Sequence, residues 1–387
     1  MTPPSPERAK GIGPAGVPFF ARRHLPGLFF LWCCLVLAIP GGAAAEDPAP
    51  PFDPPESKES NPSVLSSDLD AAGFRSGDFC LDQVGYGPLR IASQSPFQSL
   101  RLGFTPRTPA TLTKNQWEYG VSTVLSNVWA FEKDRFLLDY ESLHSTVHVN
   151  YGITDQWTLE LAYDERRIFG GILDGFISDF HDVFDIDQDN RDRFENGRVF
   201  IDIRDDAGNT RVHRYGESGA YSQGLLLTLQ HNVTCGKVRV PAFAYALTAR
   251  YELEGASPLE RDIPFDFGLS VMISKRFGPV YAYLTGGYLW FGGDQVEKIE
   301  LKRTQLSGLL ALEWRYLNTQ SLVLQYLASE GQAEDLGPFS DASHEFTLGW
   351  KWELRPGWLF ELGLVENFIV YDNSPDFGIH TGLTWRP

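Results

Sequence analysis

Asp185, Asp187 and Asp189 stand on alternate positions and form a metal-ligand pattern. Carboxylates at loop positions 1, 3 and 5 are what a calcium loop of the EF-hand type supplies, with a glycine at position 6 and a bidentate glutamate at position 12. Here those two places hold Asn190 and Asn196, and Glu195 falls one residue early. Lacking the bidentate ligand, the stretch is a weak calcium candidate. A solvated turn answered by Arg191 accounts for the same acids.

Two other groups could do chemistry. Ser142, His144 and His148 share one strand face in "SLHSTVHVN", the residue types that outer-membrane lipid hydrolases pair. A triad needs a third group placed by geometry, and period-two alternation alone produces such a polar face. No catalytic residue is assigned, no cofactor is expected, and enzyme activity is not the favoured reading. Cys80 and Cys235 are the second group. An exported chain can oxidise such a pair, provided the fold brings their Cα atoms within about 7 Å.

The elements that must position these residues are strands. In "WTLELAYD", Trp157, Leu159, Leu161 and Tyr163 face one way and Thr158, Glu160, Ala162 and Asp164 the other. "LSGLLALEWRY" sets Leu306, Leu310, Leu312 and Trp314 against Ser307, Glu313 and Arg315, and "FTLGWKW" sets Phe346, Leu348, Trp350 and Trp352 against Thr347 and Lys351. "VYAYLTGGYLWF" carries aromatics on both parities and cannot be oriented. Twelve such segments are expected, roughly 116–129, 141–152, 156–165, 220–233, 238–251, 265–275, 280–291, 304–316, 321–329, 344–354, 358–370 and 376–386.

Tight turns ("GITD", "TCGK", "RFGP", "LNTQ", "RPG") alternate with longer links, and Tyr151, Trp157, Trp314, Tyr316, Trp350, Trp352 and Trp358 collect beside the tight ones. Short turns at one end, long loops at the other and an aromatic girdle describe a bacterial outer-membrane barrel. A soluble barrel would need a bulky apolar filling, whereas the second face here is Ser, Thr, Gly and charge. Charges on the lipid face cost about 2–4 kcal/mol each at mid-depth. Glu160, Asp164, Asp266, Glu313, Arg315, Lys351 and Glu361 are therefore expected in the lumen. The fold class is all-β, a twelve-stranded antiparallel transmembrane barrel over 116–387. Cys235 falls in a short periplasmic turn and Cys80 precedes the first strand on that side, so a disulfide tying the leader to the barrel floor is a candidate.

The chain ahead of the barrel divides further. Arg22 and Arg23, an apolar run over 28–39 and Ala43-Ala44-Ala45 have the layout of a secretory signal, and the run is too short to span a bilayer. Cleavage near Ala45 would remove four of the 33 basic residues and one of the 50 acidic ones, leaving 29 and 49, a net charge of −20. That balance excludes nucleic acid as a partner. Residues 46–70 read as a disordered Pro/Ser-rich leader, and 71–115 as an irregular periplasmic or plug segment. The expected home is the outer membrane of a Gram-negative bacterium, with lipid and the barrel assembly machinery as partners.

Residues 166–219 form one long loop with patterns of its own. Phe176, Ile177, Phe180, Val183 and Phe184 recur at helical spacing behind Asp174, and "RVFIDIRDDAGNTRVHRY" reads as a hairpin. Asp174, Phe176, Phe180, His181, Phe184 and Arg191 are the candidates for a lid over the barrel mouth. A self-packed surface loop is the alternative.

"GGILDGFISDFHDVF…R", "SQSPFQSLRLGFTPRTPATL", "SNVWA" and "ENF…SPDFGIHTGL" resemble an uncharacterised bacterial family, domain of unknown function 3187, over roughly 85–387. The resemblance implies an outer-membrane protein. The chain departs from the family's pattern over 184–191, where acids stand in place of turn formers, and at its end, where Trp385 is the last aromatic before Pro387. Three activities fit: a narrow pore or transporter for a small solute of unknown identity, a lipid-modifying enzyme, or a structural or adhesive barrel acting through its outer loops.

Overall fold

The computed structural model describes Cys80 and residues 84–173, 175, 197–204, 208–237, 239–253, 258–367 and 373–387. Twelve strands build a wall: β1 (Trp117–Glu132), β2 (Phe136–Thr154), β3 (Trp157–Phe169), β6 (Gly219–Thr234), β7 (Ala242–Glu252), β9 (Phe265–Phe277), β10 (Val280–Trp290), β13 (Thr304–Leu317), β14 (Gln320–Ser329), β15 (Ser343–Arg355), β16 (Trp358–Glu366) and β17 (Phe377–Trp385). Five short ones decorate one rim: β4 (Phe200–Arg204), β5 (Thr210–Tyr215), β8 (Leu259–Glu260), β11 (Gln295–Val296) and β12 (Ile299–Glu300). Each wall strand pairs antiparallel with the next, and β17 returns to β1 in a register running from Tyr119↔Trp385 to Asn127↔Phe377. The barrel is closed. Closure leaves no strand edge in the wall, as a backbone in lipid requires.

The alternation read from the sequence sets inside and outside. Leu161, Leu247, Leu284, Leu306 and Leu310 are each more than half exposed on the outer face, while Glu160, Glu313 and Lys351, one residue out of phase, are buried. β10 resolves the same way, with Tyr281 and Tyr283 inward and Leu284 and Tyr288 outward. Beside the short turns the outer aromatics touch in series. Trp117 packs at a tilt on Tyr151 and stacks on Tyr119, Tyr119 stacks on Trp385, and Trp385 on Trp358. Trp350 stacks on Trp352 and donates its indole N–H to the Tyr316 hydroxyl at 3.1 Å. This is the interfacial girdle of an outer-membrane protein, and the short-turn end is the periplasmic one.

The first two strands run longer than their alternation suggested. β1 and β2 pair up to Glu132↔Phe136, so only 133–135 connect them where a long loop was expected. Above Glu141↔Phe169, where β3 leaves β2, that edge of β2 pairs with β4 instead, and β4 with β5. The hairpin expected in the long loop is therefore docked on the rim. Its Val199, Ile201, Ile203 and Val212 bury with Val128, Phe136 and Leu138 of the extended β1–β2 hairpin and with Phe339 from the β14–β15 loop. Phe339 packs edge-on against Phe136 and against Phe97 from the segment ahead of β1. An apolar roof thus covers the outer mouth. Asp174, Phe176, Phe180, His181, Phe184 and Arg191, and the acids Asp185, Asp187 and Asp189, lie outside the described residues.

Candidate functional site

The polar inner face meets a strand-less segment, residues 84–116, that runs inside the lumen. Its route is legible from what it touches. Cys80 is bonded to Cys235 in the β6–β7 turn, with Cα atoms 4.7 Å apart. Tyr86 reaches Asn318 in the short β13–β14 turn, Leu89 reaches Gln325 at mid-wall, and Ser95 reaches Asn373 in the β16–β17 loop. The chain reverses through a 3-10 turn, Gln98–Leu100, under the roof. It then descends past Asp266 (Leu102) and Glu160 (Arg107) to Asp155 (Lys114) in the β2–β3 turn. Two extended limbs therefore run the length of the barrel as a plug.

A buried backbone without strand partners must find its hydrogen bonds elsewhere. Here the wall supplies them. Glu313 accepts the N–H groups of Tyr86 and Gly87, both at 3.0 Å, Gln325 that of Leu89 at 2.9 Å, and Glu345 that of Gln94 at 3.0 Å. Asp266 and Thr158 accept those of Leu102 and Leu112. In the other direction, Lys351 donates to the carbonyls of Tyr86 and Pro88, and Gln230 to those of Thr108 and Ala110. The polarity of the lumen is in large part the complement of this plug.

Glu160, Asp164, Asp266, Glu313, Arg315, Lys351 and Glu361 are all buried. Glu160 takes both Arg90, at 2.7 Å, and Arg107, at 2.8 Å, one cation from each limb. Asp164 pairs with Arg250 at 3.2 Å, and Asp266 with Arg261 at 2.6 Å. Lys351 pairs with Glu361 at 2.5 Å, and His380 stands 3.3 Å from the other oxygen of that carboxylate. Arg315 donates to the carbonyl of Asn318 at 3.1 Å and lies over the Tyr86 ring. The serine–histidine grouping does not form a catalytic pair. Ser142 shares a hydrogen bond with Ser126 at 2.8 Å, and His144 approaches Thr146 at 3.4 Å. Among the described residues no group of three His, Cys, Asp or Glu side chains is placed to hold a metal ion.

The plug does not fill the lumen completely. A cavity of about 120 Å³ lies in the periplasmic half, lined by both limbs (Tyr86, Arg90, Arg107, Thr111) and by wall residues including His148, Asn150 and Arg386. A second, of about 30 Å³, continues upward past Arg90, Arg107 and His148 to Asp164, Arg166 and Arg250. The two lie in series against the β1–β3 wall, with the Arg90–Glu160–Arg107 bridge at their junction.

A closed twelve-stranded wall around a tethered internal segment coincides with a family match that runs from that segment to the last strand. The model for the family described as a protein of unknown function (DUF3187) matches residues 80–386. The chain belongs to this family. The match begins at Cys80, so in this DUF3187 chain plug and barrel form one unit of sequence.

No curated protein matches the chain. Among solved structures it is similar to the COG4313 outer membrane channel from Pseudomonas putida F1, at 14% identity and a TM-score of 0.46, over 72% of this chain and 97% of that one. It is also similar to the CymD monoaromatic hydrocarbon channel, at 11% identity and a TM-score of 0.35, over 71% and 88% of the two chains. The P. putida toluene transporter TodX stands at 11% and 0.32, over 70% and 88%. What sequence reasoning missed in this DUF3187 member is the plug's own contribution, Arg90, Arg101 and Arg107. Three arginines in an otherwise aperiodic Gly/Pro-rich segment were the available signal.

Proposed function

We propose that the protein is a narrow outer-membrane channel or transporter for small polar solutes, closed in its resting state. The reading is carried by two cavities in series along the β1–β3 wall, both bordered by charged side chains and separated by the Arg90–Glu160–Arg107 bridge. Several waters fit the larger cavity and two or three the smaller, since a water needs about 10–15 Å³ of such volume. A solute would travel beside the plug rather than through an open lumen, and passage requires the bridge and the roof to give way. In this reading the protein is exported with cleavage near Ala45, residues 46–70 form a periplasmic leader, and the assembly machinery inserts the barrel into the outer membrane of a Gram-negative cell.

Planar-bilayer recording tests it. Small unitary steps in KCl are expected, with larger or more frequent steps once Arg107→Ala removes one arm of the bridge. Silent bilayers with both the wild-type and the Arg107→Ala barrel, inserted and folded, would turn the reading toward a structural barrel.

A further inference from the structure

The larger cavity has a chemical preference written in its unanswered groups. His148 is 4% exposed and neither ring nitrogen has a hydrogen-bond partner. Its ring lies against Gly120 on β1, where a Cβ would fall 2.2 Å from the imidazole Cε1. The glycine therefore holds a place for the ring beside the cavity. Asn150, 6% exposed, donates its amide to Glu118 at 2.7 Å, while its Oδ1 has no partner. Buried polar atoms with no partner are rare in folded proteins, and each one asks for water or a ligand.

The charge around them is cationic although the chain as a whole carries −17. Arg90, Arg107, Lys351 and Arg386 face this cavity against Glu118 and Glu361. Glu118 is taken by Arg386 at 2.7 Å and Glu361 by Lys351 at 2.5 Å. Glu160 is shared by Arg90 and Arg107, two guanidiniums to one carboxylate, which leaves one positive charge in excess at the junction. Guanidinium nitrogens beyond those bound to Glu160 can take oxyanion oxygens. A neutral imidazole offers one donor and one acceptor, and the Asn150 Oδ1 offers a further acceptor. An anion alone would satisfy the arginines and leave both acceptors empty. An anion that brings its own hydroxyl can donate to the Asn150 Oδ1 and accept from the imidazole N–H, which leaves one imidazole nitrogen for a water.

We infer that this cavity is a binding site for a small oxyanion bearing a hydroxyl group, a short hydroxycarboxylate or hydrogenphosphate. Its charge would sit on Arg90 and Arg107, and its hydroxyl on Asn150 and His148. The volume suits about five or six non-hydrogen atoms, a little less than the 150 Å³ that accommodates benzene. As a statement about cargo the inference rests on the channel reading; as a statement about binding it does not.

Calorimetric titration of the purified, detergent-folded protein with glycolate, acetate, ethylene glycol and phosphate tests it. Glycolate should saturate at least about threefold tighter than acetate, and ethylene glycol should not saturate. Arg107→Gln should weaken glycolate about tenfold, the scale of one charge-assisted bond. Asn150→Ala should bring glycolate down to the level of acetate while leaving acetate unchanged, so a folding defect in the arginine variant does not remove the test. Phosphate binding tighter than glycolate also supports the site and assigns its source as inorganic. Equal binding of glycolate and acetate, or saturation by ethylene glycol, overturns the inference, as does no saturation by either glycolate or phosphate. Conductance in KCl is independent of these titrations, so loss of binding with retained current removes the site and not the channel.

Discussion

Glu313 on β13 accepts the backbone N–H of Tyr86 at 3.0 Å across 227 residues of sequence. The same carboxylate takes Gly87 at 3.0 Å and the Tyr283 hydroxyl at 2.6 Å, so one wall side chain fixes a whole turn of the plug. Glu313→Ala orphans three buried donors, each worth about 1–3 kcal/mol when left unsatisfied. The plug's first limb should loosen while the wall, whose own ladder is untouched, stays closed. Limited proteolysis of the folded variant should cut within 84–95 at least tenfold faster than in the wild type. Unchanged protection there would mean that the limb is held elsewhere.

The disulfide makes a second expectation. Cys80 and Cys235 are bonded, while Cys33 and Cys34 lie in the stretch read as a cleaved signal. The mature protein unfolded without reductant should present no alkylatable thiol, and two after reduction. Intact mass spectrometry with and without reductant reads both numbers. Two free thiols before reduction together with the mass of the full chain would mean that residues 1–45 are retained.

Much of the wall was legible because lipid is an unforgiving solvent. Glu160 and Glu313 can face only inward, which fixes the phase of β3 and β13 and, through pairing, of their neighbours. β10 was not legible, since Tyr281 and Tyr283 face the plug while Tyr288 and Trp290 face outward, and an aromatic is at home on either side. Nor was the plug. Its backbone bonds go to side chains of distant strands, as Leu89 to Gln325 and Gln94 to Glu345, so its own sequence carries no period to read. The bridge of Arg90 and Arg107 on Glu160 was invisible for the same reason: the two arginines meet only because the chain reverses at Gln98–Leu100.

Leu161 is 56% exposed on the outer face of β3, next to inward Glu160. Leu161→Arg should destabilise the folded barrel by about 2–4 kcal/mol if the site lies near the bilayer midplane. Leu161→Phe should be close to neutral. The urea midpoint in lipid vesicles measures both, and equal midpoints for the two variants would place this face in water rather than lipid.

The plug is seated in sockets that wall glycines leave open. Leu89 lies where a Cβ on Gly349 would stand, 2.1 Å from its Cδ1, and Phe104 fills the corresponding space at Gly287, 2.3 Å from such a Cβ at its Cδ2. Both glycines point into the lumen within otherwise regular strands, and neither has the positive φ that would explain a glycine by backbone conformation. Close approach of the plug is then the reason for the residue type. Gly349→Ala should force Leu89 out of its seat and cost about 1–3 kcal/mol, as overpacking of a filled site does. Leu89→Ala alone should open a void at the same place and cost about 2–5 kcal/mol. Combined, the added methyl occupies part of the void, so the double variant should be more stable than the sum of the single losses by about 1 kcal/mol or more. Urea midpoints of the four proteins close this cycle. Strict additivity would mean that Leu89 and Gly349 are not in contact in the folded protein, and that the plug sits differently against β15.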